Sequence, residues 1–310
     1  MYNTFSLFPF LKLRTMMNKA GFLIFFWMYF TNMSHAQYSS FESAEDSLAQ
    51  WSSYFLNNES SSQEKEFFNQ KFTALLSELL LKEESDSYSF SKLKSISMLR
   101  SDDNKCIVFT WFTFHENGYR AHGLVRGLTG PKNKRMVNEL KENFSDPLSL
   151  IYKTLDPASW MGMLYYDLIE FRHQGKPAYL LLGFHGNNGI THKKAIDVLS
   201  FSPKGGVRLG LPVFTNGKRF SNRVVFEYKA NAKMSLRYNE KIKTIVFDHL
   251  SPEKNGLEGQ YQYYVPDFSY DGYHFEKKKW MYKKDLELKN ESENLGKEGV
   301  KYNLPIPDKK

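Results

Sequence analysis

The chain is nearly devoid of cysteine: Cys106 is the only one in 310 residues, so no intramolecular disulfide can form. That excludes the small disulfide-stapled scaffolds, and paired-cysteine metal or redox motifs with them. Acidic residues are missing from the start of the chain, where none precedes Glu42. After Phe30 no apolar run approaches the ~20 residues that a membrane-crossing helix needs, so no transmembrane segment is expected downstream. The recognised catalytic signatures are missing too. There is no phosphate-binding Walker loop, no H-E-x-x-H, no G-x-S-x-G and no C-x-x-C.

The first segment has its own character. Ala20–Phe30 is an unbroken apolar run, preceded by Lys12, Arg14 and Lys19 and followed by Ser34-His35-Ala36. A basic n-region, a short apolar core and a small-x-small site together define a cleavable secretory signal peptide. Residues 1–36 are expected to be removed after Ala36, leaving Gln37 as the first residue. Met17-Asn18-Lys19 is itself an ordinary n-region, which points to a start at Met16 or Met17. An exported chain without disulfides fits a bacterial periplasm better than eukaryotic secretion. No cysteine at the cleavage point offers a lipid anchor, so the expected destination is periplasmic or secreted. Cys106, within Cys106-Ile107-Val108-Phe109, reads as a small buried hydrophobe rather than a nucleophile.

The formal charge is +8, but it is unevenly placed. Gln37–Asp86 holds ten acidic residues against three lysines, so the basic excess lies downstream. Such asymmetry suits docking to an anionic surface, or simple solvation of both parts. Nucleic acid is not expected as the partner of an exported protein. An envelope protein or a glycan is.

Residues 37–100 are expected to be helical. Ser39-Ser40-Phe41-Glu42 and Ser61-Ser62-Gln63-Glu64 both have capping-box spacing. Leu48, Trp51, Phe55 and Leu56 follow the first; Phe67, Phe68, Phe72, Leu75, Leu76, Leu79 and Leu80 follow the second as a wide apolar stripe for packing. Residues 101–288 read as an antiparallel β-rich domain. Cys106–Phe114 is apolar on both alternating faces, and His115–Gly118 is a turn. Residues 131–158 are ambiguous: Met136, Leu140 and Phe144 suit a helix, while Pro147 and Pro157 interrupt it. Further on, hairpins are expected between Met163–Phe171 and Ala178–Phe184, between Ala195–Phe201 and Val207–Phe214, and between Arg223–Tyr228 and Met234–Tyr238. The fold class is therefore mostly β with N-terminal helices, an antiparallel meander compatible with a sandwich, an open barrel or a partial propeller. Residues 289–310 are polar and expected to be a disordered tail.

Three segments carry candidate chemistry. Gly183–Gly189 is a Gly/Asn-rich loop containing His185 and Asn187, suited to an anion cradle or to a tight connection needing positive φ. Asp248-His249 sits near a strand end. An acid beside a histidine can orient a general base or a metal ligand, although neighbouring strand residues point to opposite faces. Pro266–His274 combines Asp267, Asp271 and His274 with two tyrosines. Calcium or a sugar would suit these groups, and Asp271-Gly272 is equally an ordinary turn pair. Aromatics make up 16% of the chain; they serve a carbohydrate platform or the filling of a β core. No signature names a cofactor.

Trp160–Tyr166, the Gly183–Asn188 loop, Phe226-Glu227-Tyr228, Met234–Tyr238, Ile245–Pro252 and Pro266–Asp271 together resemble an uncharacterised family of exported proteins of Bacteroidota, over residues 100–285. The resemblance implies a Gram-negative envelope setting and carries no activity. The leading expectation is a non-catalytic β-rich binding or assembly module of the envelope. The competing one is a periplasmic hydrolase of glycans or esters, in which His249, Asp267, Asp271 and His274 converge; a metal-stabilised module is the third.

Overall fold

A computed structural model describes residues 40–287 except 116–117, 131 and 144–146. The expected signal peptide, the capping serine Ser39, Phe144, the centre of the 115–118 turn and the polar tail lie outside the described residues.

The chain is mostly β with two N-terminal helices, and its sheets are antiparallel but for one pair of strands; one sheet curls into a half-barrel. Helix α1 spans Phe41–Leu56 and α2 spans Ser62–Leu80. Ser61 caps α2 as its spacing implies. Its Oγ accepts from the Glu64 amide at 3.2 Å, and the Glu64 carboxylate accepts from the Ser61 amide at 2.9 Å. The apolar stripe of α2 divides. Phe72, Leu75, Leu76, Leu79 and Leu80 are buried, each contributing about 1.5–3 kcal/mol. Phe67 instead stays exposed under the Lys71 ammonium.

Fifteen strands follow among the described residues. In chain order they are β1 Ser97–Arg100, β2 Cys106–His115, β3 Gly118–Thr129, β4 Lys134–Lys141, β5 Leu164–His173, β6 Lys176–His185, β7 Thr191–Phe201, β8 Val207–Leu209, β9 Phe214–Thr215, β10 Phe220–Ser221, β11 Val224–Lys229, β12 Leu236–Asn239, β13 Thr244–Pro252, β14 Tyr264–Glu276 and β15 Lys279–Lys283. They form three sheets: β1-β2-β3-β4; β11-β7-β6-β5 with β8 on β7; and β10-β9-β15-β14-β13-β12, in which β15 and β9 run parallel.

The layering follows from alternation along the strands. In β2, Phe109 and Trp111 face the helical side, meeting Phe90 and Phe72 with ring centroids 5.3 and 5.1 Å apart. Cys106, Val108 and Phe112 face the other way, into a core shared with Leu181 and Leu199 of the second sheet. Leu180, Leu182, Ile196 and Val198 point from the opposite face of that sheet into a second core with Ile245, Phe247 and Trp280. The second sheet is thus a middle layer buried on both faces, which explains the unbroken apolar run Tyr179–Leu182. A charged pair sits in it. Asp197 and Arg223 are both fully buried, 3.3 Å apart, and Arg223 also donates to the carbonyls of Leu150, Lys153 and Leu209.

The β5–β6 hairpin turns at Gln174-Gly175, both at positive φ, as the two-residue connection requires. Three expectations are corrected, and one ambiguous stretch is resolved. β1 lies in the stretch expected to be helical. Lys134–Lys141 is a strand, not a helix, paired residue by residue with β3; Met136 and Leu140, four apart, share a face in either structure, and pairing with β3 decides. Arg223–Tyr228 and Met234–Tyr238 do not form a hairpin: β11 pairs with β7 and β12 with β13, so the chain crosses between sheets there. Asp271-Gly272 is no turn but the middle of β14. A Cβ at Gly272 would lie 2.8 Å from the Ile245 carbonyl oxygen, so the glycine permits close strand approach. No helix among the described residues is long and apolar enough to cross a membrane.

Candidate functional site

Two groups of polar side chains stand out, one at a paired bulge in the third sheet and one in a cleft beside α2.

β13 and β14 pair in register from Thr244↔His274 to Asp248↔Tyr270, then slip and resume at Leu250↔Pro266. One residue of β13, His249, therefore stands opposite three of β14, Asp267, Phe268 and Ser269. The bulge separates the neighbours Asp248 and His249. Asp248 accepts from the Ser235 amide at 2.7 Å. His249 instead places Nδ1 2.7 Å from Asp271 Oδ2. Asp271 is only 2% exposed, yet its carboxylate is saturated, since Tyr282 Oη donates to Oδ2 at 2.5 Å and the Asp285 amide to Oδ1 at 3.0 Å. Burial alone would raise its pKa. The hydrogen bonds from Tyr282, His249 and Asp285 outweigh that and hold it below the usual carboxylate range. Burial and the same bond push the Tyr282 phenol up.

A carboxylate only accepts, so His249 Nδ1 carries a hydrogen, and in the neutral form of the ring Nε2 is the bare acceptor. Asp267 Oδ2 lies 4.0 Å from that Nε2. Its other oxygen is fixed by the Ser269 amide at 3.1 Å and hydroxyl at 2.7 Å. Slight burial raises the Asp267 pKa, and the two hydrogen bonds from Ser269, joined by the charge of His249 whenever that ring is protonated, lower it further than burial raises it. His274 does not join them. It lies three residues from Asp271, on the opposite face of β14, and its Nδ1 is 3.0 Å from Thr244 Oγ1. Of the four residues expected to converge, three do. Tyr282 was not legible, because only the β14–β15 register brings it to Asp271.

The second group lines a cleft of about 740 Å³ between α2 and the β3–β4 edge, walled by Glu66, Asn69 and Gln70 of α2, Tyr119, Arg120 and His122 of β3, and Glu139, Lys141 and Glu142. Glu142 is anchored from behind. Its Oε2 accepts from the Ala121 amide at 2.7 Å, and Oε1 is 3.3 Å from His185 Nε2. The Asn187 amide donates to His185 Nδ1 at 2.8 Å, so in the neutral ring Nε2 carries the hydrogen and donates to Glu142. Asn187, at φ +53°, donates from Nδ2 to Thr191 at 2.6 Å and accepts from Lys193 at 3.1 Å. The Asn187 amide of the Gly183–Gly189 loop is thus spent on its own histidine, and the loop supports the cleft. Gly186 makes room there: a Cβ on it would lie 1.8 Å from Tyr119 Oη.

On the helical side of the same strands runs a one-directional chain of hydrogen bonds. Trp111 Nε1 can only donate, and it donates to Asn69 Oδ1 at 2.8 Å. Asn69 Nδ2 must therefore be the donor to His122 Nδ1, at 3.3 Å. His122 Nε2 then carries the hydrogen and donates to Thr113 Oγ1 at 3.0 Å, whose hydroxyl is left to donate to His115 Nε2 at 2.9 Å. Burial drives His122 down to about 4. Burial, with Arg120 and Lys65 nearby, lowers His115 as well.

Cys106 is fully buried, and burial pushes its thiol pKa far up. Among the described residues no group of three or more His, Cys, Asp or Glu is placed to hold a metal ion. No protein-family model matches the chain, and no curated protein is recovered as a relative. The sites are therefore read from their own geometry.

Proposed function

We propose that this chain is an exported binding module of a bacterial envelope that takes a small hydroxyl-rich ligand, of the glycan class, in the cleft between α2 and the β3–β4 edge. One observation carries the reading. A cleft of about 740 Å³, within the 300–1,000 Å³ typical of ligand sites, is walled by carboxylates, amides and cations, with Glu142 fixed by Ala121 and His185. Fixed acceptors and donors in one concave wall suit a ligand that offers many hydroxyls. Export is supported by the Ala20–Phe30 run with Ser34-His35-Ala36, and the bacterial setting by the missing disulfides and the resemblance described above.

The test is calorimetric titration of the exported chain with chitotetraose, maltotetraose and a peptidoglycan digest. Ala74 is exposed on the cleft wall, so Ala74→Trp should fill the cleft without disturbing the core. Binding by at least one glycan, lost in Ala74→Trp, is the expected result. Binding that survives the substitution, or none by any glycan, overturns the reading. N-terminal sequencing of the exported form should begin at Gln37.

A second reading, hydrolysis, rests on the 2.7 Å bond between His249 and the buried Asp271. An imidazole held at Nδ1 by a carboxylate, with Nε2 free to take a proton from water, is the arrangement of a general base. Turnover in an ester and glycoside screen that disappears in His249→Asn would support it. Turnover unchanged by that substitution would sink it.

A further inference from the structure

The paired bulge of β13 and β14 has a property that neither a hydrolase nor the cleft requires. We propose that it is a binding site for a primary ammonium group, built from Asp267, His249 and Phe268.

With the His249 ring neutral, two acceptors face each other here with no donor between them. Asp271 consumes the Nδ1 hydrogen of His249, so the neutral ring shows a lone pair at Nε2. Asp267 Oδ2 faces it at 4.0 Å. That is too far for a hydrogen bond, and both atoms are acceptors. A single donor atom about 2.8 Å from each would bridge a gap of this width. It must bring two hydrogens and would gain from a positive charge, because the Asp267 carboxylate is favoured in its charged form by the two hydrogen bonds from Ser269. A hydroxyl has only one hydrogen to give. An ammonium has three.

The third component is Phe268. It directly follows Asp267 and is 94% exposed, the most exposed of the large apolar side chains described. Its backbone sits at φ +69°, where a bulky side chain is a rare and strained occupant. Glycine or asparagine would suit the bulge better. An unburied aromatic ring on the residue that follows Asp267, held at a conformational cost, is available for a cation–π contact with a cation bound there. The negative charge is local, since the chain as a whole is +8.

Lysine side chains and amino sugars both present this ammonium, and the test separates them. The full exported chain is titrated with Nα-acetyl-lysine amide and with glucosamine, the controls being their Nε-acetylated and N-acetylated counterparts. The readout is the ring ¹⁵N signals of His249. Shifts with either amine and with neither control are expected; a response to lysine alone identifies a peptide, and to glucosamine alone an amino sugar. Asp267→Asn should weaken binding about tenfold and Phe268→Ala about threefold. Phe268→Gly should likewise weaken binding yet raise the unfolding midpoint, because it relieves the positive φ; a merely structural phenylalanine would not give both. No response to either amine at millimolar concentration, or an equal response to the acetylated controls, overturns the proposal. Because cleft binding is read separately through Ala74→Trp, failure of one leaves the other standing.

Discussion

His122 should make the chain lose stability on mild acidification by an amount that can be worked out in advance. The perturbation is a shift from about pH 7.5 to about pH 4.5, a range that covers the histidine titration. In the unfolded chain the imidazole titrates near its ordinary 6.5, and in the folded chain near 4. A folded-state pKa below the unfolded one means that the unfolded chain binds more protons between the two values. Stability is therefore full above pH 6.5, falls as the pH drops toward 4, and is level below that. A gap of this size corresponds to roughly 3 kcal/mol, most of it lost by about pH 4.5. The structural cause is specific. A proton on Nδ1 would face the Asn69 amide hydrogens, and Asn69 cannot turn because Trp111 holds its oxygen. The assay is urea unfolding of the wild type and of His122→Asn at both pH values. Carboxylates and the other histidines titrate in both proteins and cancel in the difference. The wild type should lose about 2.5 kcal/mol more than the variant between these two pH values. Equal losses would refute the reasoning.

Three further outcomes are expected. Arg223→Ala strands the Asp197 carboxylate in the middle sheet and should cost about 3–5 kcal/mol in denaturant unfolding; a loss under about 1 kcal/mol would mean that the pair is solvated. Gly186→Ala should destabilise by about 1–3 kcal/mol through its overlap with Tyr119 Oη. Tyr119→Phe should recover part of that loss, and additive effects would place the strain elsewhere. The buried Cys106 thiol should stay inert to a disulfide reagent in the native state and react only on unfolding, so prompt native-state labelling would contradict its burial.

The features that were legible in the sequence are those decided by a few neighbouring residues. Ser61 and Glu64 announce a capped helix because both partners of the cap lie within one turn. Gln174-Gly175 announces a hairpin because positive φ at two successive positions is a local demand. The features missed depend on distant partners. Lys134–Lys141 carries a pattern that suits helix or strand, and only β3 decides. β11 and β12 are separated by a short polar segment that looks like a hairpin turn, but their partners are β7 and β13. At the bulge, His249, Asp267 and Asp271 could be named from their chemistry. Their meeting depends on a slip in register that no local rule gives, and Tyr282 arrives from a third strand. Glu142 carried no signal of its own, because its role comes from His185, 43 positions away.

The middle sheet faces a problem that its own hydrophobicity creates. In a half-buried strand, sliding by one residue sends apolar side chains into water, and that penalty fixes the alignment. β6 and β7 are apolar on both sides, so a one-residue slide exchanges one greasy face for the other at little cost. What such a slide cannot tolerate is a charge landing opposite the wrong neighbour. Asp197 and Arg223, on adjacent strands of that sheet or at its margin, then act as an alignment pin. Their contribution lies less in making the folded state deeper than in making the shifted alternatives worse.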